Sequence, residues 1–417
     1  MAQAKNKRIY SKNKLTKLKY ALTVIEKNII FKPKTKSIFI SQALENIVSE
    51  DIFSNRNVPP HSNSAVDGYA IRFKDLKKNP NRVFTISGKS KAGTFPKHKI
   101  NKMCTVRVLT GAILPKGSDT VVMEEDCEIN QDKIKIKKII KKGINFRMLG
   151  EDIKITNKVF IKGHKLKPQD VGILSSIGLK KIKVYIPLRV GVFSSGDEIV
   201  NPNNNPKIGQ LFDSNRPMII SLLKKIGCNV VDLGILADQK KQIVHNLSKA
   251  SKKFNLIVSS GAMSLGEEDH IKKILEEQGS LNVWRIAIKP GRPVGYGFYN
   301  NTPILALPGN PTAAFVTFLM IGLPIISRMS GLKKDFYKRY KLPINFHYNK
   351  KAGRIEYLRV KTVYKNGKLS LNKFPKEGAG ILTSVSWADG LAIIDENTTN
   401  LELNDLVNYV SFNELLN

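Results

Sequence analysis

Acidic residues are scarce in this 417-residue chain: 34 Asp and Glu stand against 69 Lys and Arg, a formal net charge of +35. That balance excludes an acidic, solvating protein and admits anionic partners, whether nucleic acid, lipid headgroups or small anions. Lys far outnumbers Arg and is spread along the whole chain. Scattered Lys reads as solvated faces; bases and phosphates are read by forked Arg contacts. Cysteine is nearly missing. Cys104, Cys127 and Cys228 lie far apart without CxxC spacing, which argues against a disulfide framework and a zinc site and suits a reducing compartment. The opening MAQAKNKRIYSKNKLTKLKY is basic and has none of the apolar core of a secretory signal. Long apolar runs are lacking too. The longest, near 315–326, is broken by Pro324, so no stretch is expected to reach the roughly 18 apolar residues of a membrane helix. The expectation is a soluble, cytoplasmic protein with no membrane partner.

What remains is globular: 41% apolar and 25% charged residues, with length for about three domains at roughly 150 residues each. A helix is expected at Leu15 to Ile25. A second is expected around Ser41 to Ser49, where Ser41 can cap and Ala43, Leu44, Ile47 and Val48 form an apolar face. From Asp67 the pattern turns to short β-branched runs, VFTISG, CTVRVLTG and DTVVMEED, bounded by Gly, Pro or Asp. DKIKIKKII alternates, with Ile134 and Ile136 on one face. This predicts a β-rich domain over 67–146, a barrel being one form. Mixed segments on both sides, 15–66 and 147–186, predict one discontinuous domain with a short helix in HKLKPQDVGILSSIG. Over 187–332, strands such as LRVGVFSS, NVVDLGIL, NLIVSSG, VWRIAIKPG, VGYGFY and PILALPG alternate with helical segments. That alternation predicts a three-layer α/β domain with a largely parallel sheet. Residues 338–417 predict a small β domain.

In such sheets ligands sit beyond the carboxyl ends of the strands. Three strands end there in small-residue turns: Ser194-Ser195-Gly196-Asp197-Glu198, Ser259-Ser260-Gly261 running on to Ser264, Gly266 and Glu267, and Leu307-Pro308-Gly309-Asn310-Pro311. Small residues let backbone N–H groups approach an anion. Ser264 and Glu267 have capping-box spacing, and Asn310 with Pro311 reads as N-cap and N1. Each helix start favours an anion by about 0.3–1 kcal/mol. Lys289-Pro290-Gly291-Arg292-Pro293 is a stiff cationic loop suited to a tetrahedral anion. Among the few acids, Asp67, Asp152, Asp197, Glu198, Asp238, Glu267, Glu268 and Asp269 lie in or beside such turns, where carboxylates suit Mg²⁺ bridging to substrate oxygens. Each has a plain alternative: Asp67-Gly68 is a turn signal, and Asp238 or Glu267 can be helix caps. His61, His164 and His270 read as surface or structural.

NSAVDGYA, VRVLTGAILPKGSDTVVMEE, GINFRMLGEDI, VFSSGDEIV, GQLFDSNRPMI, SSGAMSLGEEDH, IKPGRPVGYG and LPGNPTAAF together resemble the successive motifs of the molybdopterin molybdenumtransferases, the MoeA and gephyrin E-domain family. They occur in family order and span about 15–417. Ala262 stands where the family usually has a second Gly, and Val66 where Met is common.

The resemblance implies four domains: a discontinuous domain (15–66 plus 147–186), a β-rich domain (67–146), a molybdopterin-binding α/β domain (187–332) and a C-terminal β-barrel-like domain (338–417). It also implies a homodimer. The implied reaction inserts molybdate into adenylylated molybdopterin, releasing AMP, with Mg²⁺ as cofactor. A separate molybdopterin adenylyltransferase would supply the substrate and molybdoenzymes would accept the product. Matching positions give Asp67, Thr110, Asp152, Glu198, Asp238 and Asp269 catalytic roles, with Glu198, Asp238 and Asp269 as Mg²⁺ ligands. Ser194, Ser195, Gly196, Ser260, Gly261, Ser264, Gly266, Lys289, Arg292, Pro308, Gly309, Asn310 and Pro311 would contact substrate. Two rivals stay open. A relative sharing only the α/β module, such as a competence/damage-inducible protein or a molybdopterin adenylyltransferase, would lack NSAVDGYA and RMLGED. A nucleic-acid-binding scaffold would use the basic surface with a steep salt slope, and the chain has no RNP, KH or helix-turn-helix signal.

Overall fold

A computed structural model describes residues 15–79, 81–96, 99–261, 270–333, 337–365 and 367–416. They form two compact units, one from 37–162 with 166–183, the other from the remaining described residues.

In the first unit the β-branched runs pair into a six-stranded sheet. Its order is Thr120–Met123, Gly68–Ile71, Cys104–Val108, Val83–Ser90, Lys133–Ile136, Cys127–Asn130. The alternation in DKIKIKKII is realised, with Ile134 and Ile136 buried beside Phe84 and Lys133 and Lys135 exposed. Both faces of this sheet are covered: Tyr69 and Ile71 pack into one cluster, while their neighbour Ala70 packs into another with Val106 and Val121. The strand order runs edge to edge and, among the described residues, does not close into a barrel. The helix expected at Ser41 to Ser49 is not formed; only a 3₁₀ turn, Ile40–Gln42, is present. Glu45 takes a left-handed φ of 64°, which ends a helix. Leu44, expected on the apolar face, is exposed. The segment's backbone pairs outward, Glu45 N–H to Leu166 and Ser49 N–H to Lys183. The Pro168–Ser176 helix forms as expected, with the Asp170 carboxylate accepting the Lys167 N–H.

The second unit holds the α/β layers. The sheet order is Asn229–Leu236, Arg189–Ser195, Leu256–Ser260, Thr302–Leu307, Gly295–Tyr299, Ser280–Trp284. The first four strands are parallel; Gly295–Tyr299 runs antiparallel to them, and Ser280–Trp284 antiparallel to Gly295–Tyr299. Val190, Val192, Leu256 and Val258 face one helix layer (Asn215–Lys225, Pro311–Met329 and the N-terminal Leu18–Asn28), whereas Phe193 and Ile257 face the other (Lys240–Ser251 and His270–Gln278). Burial on both faces explains why these strands read as continuous apolar runs.

The Pro311–Met329 segment corrects the expectation about apolar length. It is one 19-residue helical run, long and apolar enough to cross a membrane, and 89% of its apolar window is buried inside the protein. A π turn at Phe318–Gly322 precedes Pro324, which therefore does not interrupt the run. The helix is the central element of this core.

VWRIAIKPG is not one strand. Arg285 takes a left-handed φ of 53°, so 280–284 stays in the α/β sheet while Ile288–Lys289 joins the C-terminal sheet beside Ile355–Lys365. That C-terminal sheet continues through Gly390–Ile394 and Leu406–Ser411 to Tyr340–Pro343, with Lys368–Lys373 on the other side of 355–365. A bridge from Ile344 to Leu371 brings its ends together, giving a barrel-like domain around Leu358, Val360, Ala392 and Val407.

Candidate active site

The parallel register sets Ser194 beside Ser260 and Ser260 beside Leu307, so the three small-residue turns stand side by side at the carboxyl edge of the sheet. Gly261 has φ +92°, and a β-carbon there would lie 2.2 Å from the Ser195 carbonyl oxygen; only glycine permits this approach. Asn215, opening the helix below, donates to Ser260 Oγ (2.8 Å) and to the Gly309 carbonyl (2.7 Å). Its Oδ1, with Ser194 Oγ and Ser259 Oγ, is buried without a partner among the described residues. Buried orphans of this kind are rare in proteins, and here they ring a crest that offers acceptors and hydroxyls to a polar ligand.

Carboxylates gather on one side of that crest. Ser195 Oγ donates to Asp238 Oδ1 (3.2 Å), the Asp238 N–H donates to Asp197 Oδ1 (3.3 Å), and His270 Nε2 lies 4.0 Å from Asp238. The Glu198 carboxylate folds back over Gly196, its oxygen 2.5 Å from where a β-carbon would stand. Asp238 precedes the N-cap, Gln239, of the following helix, so its carboxylate serves the strand ends and not a cap. The carboxylate oxygens here suit Mg²⁺, which takes one or two carboxylates and completes its octahedron with water and substrate phosphate. No cluster of three metal-capable side chains exists among the described residues.

In the other unit, Asp67 Oδ1 accepts both the Thr110 N–H (2.6 Å) and the Thr110 hydroxyl (2.7 Å). The hydroxyl first, then the amide, and at longer range the Arg107 charge hold the Asp67 carboxyl below the usual carboxylate range. Arg107 is itself paired with Glu124 at 2.8 Å. Asp152 is exposed, its backbone N–H donating to Val58.

The cationic loop opens into a cavity of about 350 Å³ bounded by Lys289–Pro293, Pro308, Asn310 and the C-terminal strands. Its charged lining is six cations (Lys289, Arg292, Arg354, Arg359, Lys373 and Lys376) against two carboxylates, Glu356 and Glu377. The loop lies tight against the core helix: a β-carbon at Gly291 would stand 2.5 Å from Thr317 Oγ1. Arg359 is 8% exposed, its Nε donating to Ser384 Oγ at 3.1 Å. Burial presses its guanidinium below the ordinary arginine range, yet arginine stays charged. A cation stripped of water inside a concave wall is a strong anion ligand. Glu356 is buried against Lys289 and Tyr348.

The second unit thus brings together Ser194, Ser195, Gly196, Glu198, Asp238, Ser260, Gly261, Pro308 and Gly309 at the sheet edge, and Lys289, Arg292, Pro308 and Asn310 around the cavity. Pro311 is at the first position of its helix, preceded by Asn310 as N-cap without a side-chain capping bond. Asp67, Thr110 and Asp152 belong to the other unit. Ser264, Gly266 and Asp269, with the capping box at Glu267, lie outside the described residues. Sequence reasoning missed Asn215, Glu356, Arg359 and Ser384. Asn215 carried a signal, since DSN before a helical run marks a helix start.

The chain matches three family descriptions in order: "MoeA N-terminal region (domain I and II)" over 16–178, "Probable molybdopterin binding domain" over 191–328 and "MoeA C-terminal region (domain IV)" over 341–412. A molybdopterin molybdenumtransferase of Haemophilus influenzae is 33% identical over 93% of this chain and 96% of its own length. One from Nostoc sp. is 31% identical over 74% of each. A molybdopterin biosynthesis MoeA protein of Pyrococcus horikoshii superposes with TM-score 0.83 at 27% identity, covering 96% of this chain and all of that one.

Proposed function

The chain belongs to the MoeA family, as a transferase of molybdenum cofactor biosynthesis, and we propose that its substrates are adenylylated molybdopterin and molybdate, its products molybdenum cofactor and AMP. The observation that carries this reading is the cavity in which Arg359 is buried among five further cations. Molybdate is a tetrahedral dianion, and a concave cationic wall discriminates for it by charge and size. Lys289, Arg292 and Arg359 hold the oxyanion. The glycine-lined crest with Asn215, Ser194 and Ser260 orients the pterin and its phosphates.

Glu198 and Asp238 would offer carboxylates to Mg²⁺. When bound, Mg²⁺ supplies neutralisation of the phosphate charge of the adenylyl link. A water oxygen forms a bond to the pterin-side phosphorus as the bridging oxygen leaves with AMP, and the two dithiolene sulfurs bond to molybdenum as one oxo group of molybdate leaves as water with the two thiol protons. Asp67, its carboxyl lowered below the usual range by Thr110, is available as a hydrogen-bond acceptor. Positioning and fixed charge supply most of the acceleration, as in other phosphoryl chemistry. No side-chain nucleophile enters. The chain works as a homodimer, with a separate adenylyltransferase upstream and molybdoenzymes downstream.

The test is AMP release from adenylylated molybdopterin, with and without molybdate. The wild type should release AMP faster when molybdate is present, and Arg359→Ala should lose that dependence. A wild type that releases no AMP would refute the reaction.

A further inference from the structure

We propose that Glu356 is a positioning residue of the oxyanion cavity: it aims the Lys289 ammonium, and Tyr348 in turn fixes Glu356. The inference rests on the reading of that cavity as the molybdate site. A carboxylate is an odd lining for a pocket that takes a dianion, because like charges at short range oppose binding. Its geometry resolves the oddity. Glu356 is 2% exposed, and a single oxygen, Oε2, accepts both the Lys289 ammonium (3.1 Å) and the Tyr348 hydroxyl (2.5 Å).

The cause lies in strand pairing. Ile288–Lys289 runs parallel to the start of the 355–365 strand with Lys289 in register with Glu356, so the two side chains leave one face as neighbours. Lys289 itself is nearly half exposed. A free lysine there would sample many rotamers; tied to a buried carboxylate, its ammonium is held before the anion arrives, and less freedom is lost on binding. Tyr348 is held from its other side, with the Lys373 ammonium 5.0 Å over its ring and Lys373 paired to Glu377. Burial, then the bond to Glu356, pushes the Tyr348 hydroxyl far up, so it remains a donor across the working pH range. The order Tyr348 to Glu356 to Lys289 is therefore a fixed chain ending at the cavity.

Simple charge counting and positioning predict opposite outcomes. Glu356→Gln removes a negative charge from the cavity, which on field alone would tighten anion binding. Positioning requires that it weaken binding. Sodium molybdate titrated calorimetrically into the full chain should bind Glu356→Gln about tenfold more weakly than wild type, the scale of a lost charge-assisted hydrogen bond, and Tyr348→Phe about threefold more weakly. In AMP release, the molybdate KM should rise while kcat at saturating molybdate stays within about twofold, since the interaction lost is uniform binding. In a Lys289→Met background, Glu356→Gln should add less than about a twofold effect. Thermal melting checks folding, and Tyr348→Phe, which keeps the carboxylate, serves if the Gln variant does not fold. Equal or tighter molybdate binding by Glu356→Gln, or an undiminished effect in the Lys289→Met background, would overturn the inference alone. A wild type that binds no molybdate would overturn the cavity assignment and the inference with it.

Discussion

Thr110 holds the Asp67 carboxyl below the usual carboxylate range. That carboxyl is solvent-facing, and the Thr110 hydroxyl and amide, with Arg107 behind them, stabilise the ionised form. Replacing the hydroxyl by a methyl, Thr110→Val, should raise the Asp67 titration midpoint toward the ordinary carboxylate range, read by NMR of the labelled carboxyl. The sign follows from linkage. A carboxyl whose folded value is lowered adds stability at pH above its unfolded value and loses it as pH falls through the folded value. The Thr110→Val chain should therefore lose less stability than wild type between neutral and acid pH. Arg359 makes the complementary case for a cation. Arg359→Lys keeps the charge but gives up the planar fork that reaches Ser384, so molybdate binding should weaken by about tenfold or more. Undiminished binding in a titration would remove Arg359 from the site. Neither Arg359 nor Glu356 stood out beforehand, because residues 338–417 read only as a small β domain of short strands. The role of Glu356 comes from pairing with Lys289, 67 residues away, and that of Arg359 from its bond to Ser384; a single strand's periodicity names neither neighbour.

At the scale of elements, the sheet crest was legible because its cause is local. Small residues directly after apolar runs mark where strands stop and backbone comes close, and Ser194, Gly196, Ser260, Gly261 and Gly309 follow that rule. The support beneath the crest is not local. Arg216, in the helix that carries Asn215, is buried and bonds Asp213 at 2.9 Å while its other arm pairs with Asp232 on the edge strand. Arg216→Met should strand the 3% exposed Asp213 carboxylate and lower unfolding free energy by about 3–5 kcal/mol, measured by urea denaturation. A loss below about 1 kcal/mol would mean the network is dispensable. The failed 41–49 helix teaches the converse. Its apolar spacing was helical, but Glu45 turns left-handed and the backbone bonds go to Leu166 and Lys183. Tertiary partners overrode propensity.

For the molecule as a whole, the charge of +35 separates into two kinds. Most lysines sit on solvated faces, whereas the cavity concentrates its cations around one concave wall. Exposed charges are screened within about 8 Å at physiological salt, sheltered ones much less. Raising salt should thus abolish retention on a polyanion resin while changing the molybdate KM by less than about threefold. A KM that climbs as steeply as the resin affinity falls would assign oxyanion capture to the diffuse surface. The central claim is spatial, and anomalous diffraction at the molybdenum edge from molybdate-soaked crystals tests it most directly. One strong peak inside the cavity, within contact of Lys289, Arg292 and Arg359, is the predicted result; a cavity without a peak at saturating molybdate would contradict it.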